Sequence, residues 1–137
     1  MRRFLVSIAI IVSGILVFSC ENKRDDNGDL GGMWQLTLWT DANGDTIATK
    51  GEIFYYFQLD LMKVSRERYN TYLARFSHQG DSLFVGAAYA QPYDELVSRD
   101  RLTPFGVPAD GRMHVDGLNN SHMQLSSALG TLRFRKY

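Results

Sequence analysis

The chain has 137 residues, with 15 basic and 15 acidic side chains, a single cysteine and an aromatic content of 12%. This balance of charge argues against nucleic-acid binding, which needs a clustered excess of basic side chains to neutralise phosphates. The single cysteine excludes an internal disulfide. The 105 residues beyond residue 32 are enough for one hydrophobic core but not for two.

The first 19 residues have the layout of a secretory signal. Arg2 and Arg3 precede the low-polarity stretch 4–18, and the chain becomes polar at Glu21. These 15 residues are fewer than the roughly 20 that cross a bilayer as a helix, so a permanent membrane span is the weaker interpretation. An ordinary signal peptide cut elsewhere and an uncleaved anchor stay open as alternatives.

The end of this segment predicts a lipid attachment site. Val17, Phe18, Ser19 and Cys20 resemble the lipobox of bacterial lipoproteins, although that motif usually has a smaller residue than Phe18. The resemblance implies cleavage before Cys20 and lipidation of its thiol, which would explain a lone cysteine in an exported chain. Loss of residues 1–19 would leave 13 basic and 15 acidic side chains, a net charge of −2.

Residues 20–32 predict a flexible, lipidated tether. The segment is polar and contains several glycines, so it cannot bury enough apolar surface to fold. Glu21 in place of aspartate after the cysteine resembles lipoproteins that are forwarded to the outer membrane, and the cluster 23–26 resembles a signal for surface display. The expected location is therefore the cell envelope, as an outer-membrane lipoprotein, with surface exposure as a further expectation.

The following segments have the period of two that is typical of half-buried strands. Residues 33–40 alternate, and Asp41–Asp45 contains Asn-Gly, a strong hairpin signal. The longest segment, 53–64, is predicted as one bent strand, and 71–77 and 82–89 as a hairpin around 78–81. One face of the long segment carries, in order, Ile53, Tyr55, Phe57, Leu59 and Leu61.

The last third of the chain predicts a long loop and three further strands. Residues 90–111 hold all three prolines, and one helical turn is expected around 93–97. Segments 112–118, 121–127 and 131–137 again alternate. Seven strands, or eight if residues 45–50 pair, predict an all-β domain over 33–137. The expected fold is a small antiparallel meander closed into a barrel, with a β-sandwich as the alternative.

Both ends of this domain resemble the lipocalins and their calycin relatives. Gly32, Met33 and Trp34 are similar to the start of the first lipocalin strand, and 132–137 to the last strand of the lipocalin-like domains in small bacterial lipoproteins. The resemblance implies that Trp34 plugs one end of the barrel and that Arg133 or Arg135 covers its ring as a structural lock. A core tryptophan without a special partner is the alternative.

The aromatic-rich faces suggest a pocket for an apolar ligand, although the same side chains could equally fill the core. The predicted function is a lipid-anchored envelope protein that binds a small apolar molecule or an envelope partner. The alternative is a β-sandwich interaction module that serves as an accessory subunit of a surface complex. The pocket candidates are Tyr55, Phe57, Tyr72, Phe76, Val85 and Tyr89.

The chain offers little for metal binding or catalysis. Asp41, Asn43, Asp45 and Glu52 have the spacing of calcium ligands in an EF-hand loop, but Thr46 stands where that loop needs glycine. A hairpin is therefore the better interpretation of this segment. The histidines lack the spacing of a zinc pair, and the serines lack a nucleophile motif. We expect no cofactor, no metal and no enzymatic activity.

Overall fold

The computed structural model describes residues 27–66 and 70–137. The predicted signal peptide, Cys20 and the first part of the tether lie outside these residues. Residues 27–32, which were expected to belong to the tether, are instead the start of the folded domain, because Leu30 is fully buried. No helix in these two ranges is long and apolar enough to cross a membrane.

The described residues form ten β-strands and two short 3₁₀ segments. The first 3₁₀ segment covers Gly28–Leu30, and the second covers Arg99–Phe105 between β7 and β8. The strands in chain order are β1 (Gly32–Thr40), β2 (Thr46–Ile47), β3 (Ile53–Gln58), β4 (Leu61–Arg66), β5 (Asn70–Gln79), β6 (Ser82–Ala90), β7 (Glu95–Val97), β8 (Arg112–Leu118), β9 (His122–Ser127) and β10 (Gly130–Lys136).

Eight of these strands close into an antiparallel barrel, in the order β1-β3-β4-β5-β6-β8-β9-β10. The barrel closes because β10 returns to β1, with Trp34 opposite Lys136 and Thr40 opposite Thr131. The short strands β2 and β7 extend the sheet beside β1 and β6. The predicted all-β barrel is therefore confirmed, and the β-sandwich alternative is wrong.

The prediction of one bent strand over 53–64 is wrong, because the chain turns back at Leu59 and Asp60. Gln58 lies opposite Leu61 in the resulting hairpin of β3 and β4. Leu59 has a φ of 56°, a left-handed backbone conformation that leucine rarely adopts, so the sequence gives no signal for a turn there. The hairpin changes which residues face inward: Met62 is buried, and Leu61 lies on the outside.

The helical turn expected around 93–97 is also wrong. Glu95–Val97 is a strand that pairs with the end of β6, and the helical segment follows it at Arg99–Phe105. Leu102 and Phe105 of that segment are buried, and Val107 is buried directly after it. The apolar residues of this proline-bearing region therefore cover the end of the barrel at which β4 ends and β5 begins.

The opposite end is covered by Leu30 and Trp34, both fully buried. The hydrophobic core extends along the chain from Leu30 to Phe134, inside a sheet that closes on itself. Residues 27–137 thus contain both the closed sheet and its core, which is what an independently folding unit requires.

Candidate functional site

A row of outward-facing side chains crosses five neighbouring strands. Tyr56 of β3 lies opposite Lys63 of β4, which lies opposite Leu73 of β5. Leu73 in turn lies opposite Tyr89 of β6, and Tyr89 lies opposite Leu96 of β7. Leu59 of the β3–β4 turn and Leu61 at the start of β4 adjoin this row. Together they form what we call the outer apolar face, whose members are Tyr56, Leu59, Leu61, Lys63, Leu73, Tyr89 and Leu96.

The outer apolar face leaves large apolar side chains in contact with solvent. The exposed fractions are 51% for Leu59, 39% for Leu61, 37% for Tyr89 and 64% for Leu96. Single exposed apolar residues are common on proteins, but a contiguous patch of them marks a surface that binds something apolar. This face is the candidate binding site.

Two adjoining grooves indent the outer apolar face. One has a volume of about 270 Å³ and the other about 190 Å³, and Leu61 and Leu73 line both of them. Together they reach the lower part of the range of roughly 300 to 1,000 Å³ that is typical of small-molecule sites. The other residues of the larger groove are Ala74, Arg75, Tyr89 and Asp94, and those of the smaller groove are Tyr56, Gln58, Leu59 and Lys63.

The charged groups beside the grooves already have partners within the protein. The Arg75 guanidinium forms an exposed ion pair with the Asp60 carboxylate. The Lys63 ammonium lies 5.6 Å from the centre of the Tyr56 ring, and the Asp94 carboxylate accepts a hydrogen bond of 2.7 Å from Gln91. The chemistry of this face therefore suits an uncharged, apolar group better than an ion.

A third groove, of about 350 Å³, lies on the far side of the barrel. It is larger than either of the other two, but none of its residues is a large apolar side chain that stands exposed, so it offers less to an apolar ligand. Its residues are Thr37, Gly117, Leu118, Asn119, His122, Met123, Gln124, Arg133 and Phe134.

The six predicted pocket residues do not line one cavity. Tyr55, Phe57, Phe76 and Val85 are buried in the core, whereas Tyr89 points outward and lines the larger groove. Tyr72 is half-buried and packs against the core. Of the six, the structure thus brings four together as core and places Tyr89 at the outer apolar face.

The buried rings fill the barrel by packing against one another. The centre of the Tyr55 ring lies 4.7 Å from that of Phe134, and the rings of Phe57 and Phe76 lie 5.0 Å apart. The Tyr72 ring lies 5.6 Å from that of Phe105, in the 3₁₀ segment that covers the barrel end. A ligand inside the barrel would have to displace these contacts.

Tyr55 ties the covering segment to the barrel wall. Its hydroxyl donates a hydrogen bond of 2.8 Å to the Phe105 carbonyl oxygen, and both groups are buried. Burial raises the pKa of the Tyr55 hydroxyl well above its ordinary value, so the group remains a neutral donor. The bond holds Arg99–Phe105 in place over the core.

Trp34 has a basic cover, but it is Lys136. The Lys136 ammonium lies 4.5 Å from the centre of the Trp34 ring and donates hydrogen bonds to the carbonyl oxygens of Gly31, at 2.6 Å, and Asp29, at 3.1 Å. The indole Nε1 donates to the Leu30 carbonyl oxygen at 2.8 Å.

The assignment of this cover to Arg133 or Arg135 is wrong, because both face the outside of the barrel. Leu132 and Phe134 point inward, so the alternation along β10 turns the arginines away from the core. Arg135 instead donates a hydrogen bond of 2.7 Å to the Gln35 side chain.

The segment with calcium-loop spacing forms a hairpin turn. The Asp41 carboxylate accepts hydrogen bonds from the backbone N–H groups of Asn43 and Asp45, both at 2.9 Å. Glu52 lies apart from them and forms an ion pair with Arg66 at 3.4 Å. Across residues 27–66 and 70–137, no three His, Cys, Asp or Glu side chains gather as a metal site.

A polar cluster on β8 and β9 contains a serine, a histidine and an aspartate, but not in a catalytic arrangement. The Asp116 carboxylate lies 2.7 Å from His114 Nδ1, and it accepts hydrogen bonds from Ser126, at 2.9 Å, and Gln124, at 3.2 Å. Both the serine and the histidine bond to the carboxylate rather than to each other, so the histidine does not contact the serine hydroxyl as it does in a catalytic triad.

These contacts change the acidity of Asp116. Partial burial acts to raise the pKa of its carboxyl, but the hydrogen bonds from its three partners and the positive charge of His114 outweigh burial. The pKa therefore lies below its ordinary value, and the cluster keeps an ionised carboxylate on the outer surface.

Of the outer apolar face, the sequence-based candidates included only Tyr89, and sequence reasoning missed the others, above all Leu61 and Leu73. A single strand over 53–64 puts Leu61 on the same face as Ile53, whereas the turn at Leu59 and Asp60 reverses that facing. Counting by two from the buried Met62 and Val64 would have turned Leu61 outward, so the turn is the missing signal.

A comparison with protein families matches residues 15–137 to a family described as a lipocalin-like domain. Among curated proteins, none matches the chain. The family match includes all ten strands.

Solved structures with the same fold are similar over most of the chain. A lipocalin-like protein from Bacteroides uniformis has a TM-score of 0.61 and 22% identity, and the match covers 80% of this chain and 100% of that one. An uncharacterized protein from Bacteroides eggerthii has a TM-score of 0.59 and 22% identity, with 78% and 98% covered. A protein from Burkholderia xenovorans has a TM-score of 0.55 and 16% identity, with 88% and 94% covered.

Proposed function

The chain belongs to the family of lipocalin-like domains, and from that premise we propose that it is a lipid-anchored envelope protein that binds small apolar molecules. It acts by binding and catalyses no reaction. The ligand binds in the grooves of the outer apolar face, between Leu61, Leu73 and Tyr89.

The observation that carries this proposal is the contrast between a packed interior and an exposed apolar outside. Leu61 and Leu96 stay 39% and 64% exposed although the core next to them is filled. Exposed apolar area is unfavourable in water by about 25 cal/mol per Å², so a partner that covers it gains that free energy. The grooves between these side chains give the partner a shaped place to bind.

The proposed anchor is the thiol of Cys20. The described part of the fold starts at Asn27, seven positions after Cys20. Glu21 directly after the cysteine supports delivery to the outer membrane, and the cluster 23–26 supports display on the cell surface. Attachment through lipid would hold the binding face close to a membrane, where apolar molecules concentrate.

A protein partner in the envelope is the second candidate. Tyr93 and Leu96 are 89% and 64% exposed, and they stand beside the grooves rather than inside them. A raised aromatic and a leucine at the edge of an apolar row are the kind of side chain that anchors a protein interface. In this case the chain would serve as an accessory subunit of a surface complex.

A displacement assay tests the ligand-binding proposal. Residues 20–137 with Cys20→Ser are titrated with an anilinonaphthalene sulfonate dye, which is then displaced by fatty acids of increasing length. Leu61→Asp should weaken fatty-acid binding about tenfold, because it replaces apolar contact area with a charge. Val85→Ala inside the barrel and Phe84→Asp outside the grooves are the controls and should bind like the parent.

Two results would count against the proposal. If no fatty acid displaces the dye, the proposal that the chain binds small apolar molecules is wrong, and binding of an envelope protein becomes the favoured function. If Val85→Ala alone weakens binding, the ligand enters the barrel instead. The anchor is tested separately, by incorporation of radiolabelled palmitate into the full chain and its loss in Cys20→Ser.

A further inference from the structure

Asn27, the first residue that the structure describes, lies beside the outer apolar face. The Asn27 side-chain amide donates a hydrogen bond of 2.9 Å to the carbonyl oxygen of Leu59, which lines the smaller groove. The chain that leads back to Cys20 therefore leaves the domain at the edge of this face.

The length of that connection limits how the domain can lie on a membrane. Asn27 lies seven positions after Cys20, which corresponds to at most about 25 Å of fully extended chain. The connection starts from Asn27, whose side chain is bonded to Leu59, so the outer apolar face is the surface beside its point of departure. The side that can reach the bilayer most directly is the side that carries Leu59 and its neighbours.

The chemistry of the outer apolar face suits the boundary between lipid headgroups and acyl chains. Leu61 and Leu96 offer apolar side chains, and Tyr89 offers a ring with a polar hydroxyl, which favours this boundary. Long basic side chains such as Lys63 can extend to the headgroups while their methylene groups stay buried.

The charges around the face are nearly balanced. Lys63 and Arg75 lie among Asp60, Asp94 and Glu95, so the face has no basic excess to attract anionic lipids. Contact with a bilayer would therefore depend on apolar area rather than on lipid charge.

We propose that the outer apolar face rests on the bilayer to which Cys20 is attached, with Leu61, Tyr89 and Leu96 at the boundary of headgroups and acyl chains. This inference rests on the lipid anchor of the proposed function and names the apolar partner of the same face. The barrel then lies on its β4–β7 side and takes apolar groups directly from the membrane.

The test uses the full chain, processed and lipidated in a Gram-negative host and reconstituted into phosphatidylcholine vesicles. Leu96→Cys and, as the control on the far side of the barrel, Arg133→Cys are each labelled with an environment-sensitive nitrobenzoxadiazole dye. The proposal expects emission at shorter wavelength, and quenching by spin-labelled lipid, at position 96 only. Vesicles that also contain anionic phosphatidylglycerol should give the same result.

A second substitution shows whether the face itself makes the contact. Leu61→Asp in the Leu96→Cys chain should remove the shift and the lipid quenching, whereas Phe84→Asp, an equally exposed site outside the face, should leave both unchanged. Equal emission at positions 96 and 133 in a chain that floats with the vesicles overturns this proposal alone. A chain that does not float overturns the anchor as well.

A second copy of the chain is the other occupant that the test can detect. The labelled chain with Cys20→Ser is diluted in buffer without vesicles. A constant, long-wavelength emission supports the bilayer, and a short-wavelength emission that grows with protein concentration assigns the face to self-association and overturns the proposal.

Discussion

The inside of the barrel and its outer apolar face use the same residue types to opposite effect. Inside, Tyr55, Phe57 and Phe134 have exposed fractions of 1% or less and contact one another's rings. Outside, Tyr89 and Leu96 line up across strands with nothing of the described chain covering them fully. In so small a barrel the aromatic side chains are needed for the core, and the apolar surface available to a partner lies outside.

Removing one aromatic ring from the inside and one from the outer apolar face should give the largest difference in the free energy of unfolding. Phe134→Ala should lower the free energy of unfolding by about 3–5 kcal/mol, because it leaves a cavity against Tyr55. Tyr89→Ala should change it by no more than about 0.5 kcal/mol, as is usual for surface positions. Chemical denaturation of both variants measures the difference; similar losses would show that the outer face also contributes to the core.

The covering segment gives the next largest effect. Tyr55→Phe leaves the buried Phe105 carbonyl without its donor and should lower the free energy of unfolding by about 1–3 kcal/mol. Faster hydrogen exchange in residues 99–106 should accompany the loss. Unchanged exchange there would mean that the hydroxyl does not hold this segment.

The same variant tests how the stability of the fold depends on pH through the buried Tyr55 hydroxyl. Because burial raises the pKa of Tyr55 above its ordinary value of 10.0, the folded protein favours the neutral hydroxyl. The stabilisation is complete below pH 10.0 and falls as the pH rises above it, where the unfolded chain ionises. The parent should therefore lose stability with rising alkaline pH more steeply than Tyr55→Phe, in unfolding experiments at matched pH. Parallel curves would contradict this.

At the other end of the barrel, Lys136 and Arg133 provide a matched pair. Lys136→Met should lower the free energy of unfolding by about 1–2 kcal/mol, since it removes the cation from Trp34 and two hydrogen bonds. Arg133→Met faces outward and should have an effect of at most about 0.5 kcal/mol. Trp34 fluorescence should change only in the first variant. A larger loss of stability in Arg133→Met than in Lys136→Met would show that an arginine, and not Lys136, covers Trp34.

The smallest expected effect concerns the polar outer surface at β8 and β9. The pKa of Asp116 lies below its ordinary value, so its hydrogen bonds stabilise the fold at neutral pH, and this contribution is lost as the pH falls. Asp116→Asn should therefore show a weaker decrease in stability on acidification than the parent. Asp81→Asn, in an exposed turn, is the control and should behave like the parent.

The sequence was enough to predict the barrel and its family, since alternation and the resemblance at Gly32–Trp34 point to both. It was not enough to tell which side chains face into the barrel and which face out. A single leucine in a left-handed turn at position 59 reverses the facing of β4, and nothing in the residue types marks it. The prediction of an arginine over Trp34 is wrong for a related reason. Which residues of β10 point inward depends on where the alternation starts, and Lys136 continues the inward series of Leu132 and Phe134.

The most direct test of an outer binding site is to map a ligand by nuclear magnetic resonance on residues 20–137 with Cys20→Ser. Labelled methyl and ring signals are followed during titration with a fatty acid. We expect shifts at Leu61, Leu73 and Tyr89, with the signals of Phe57 and Val85 unchanged. Shifts confined to Phe57 and Val85 would place the ligand inside the barrel and contradict the account.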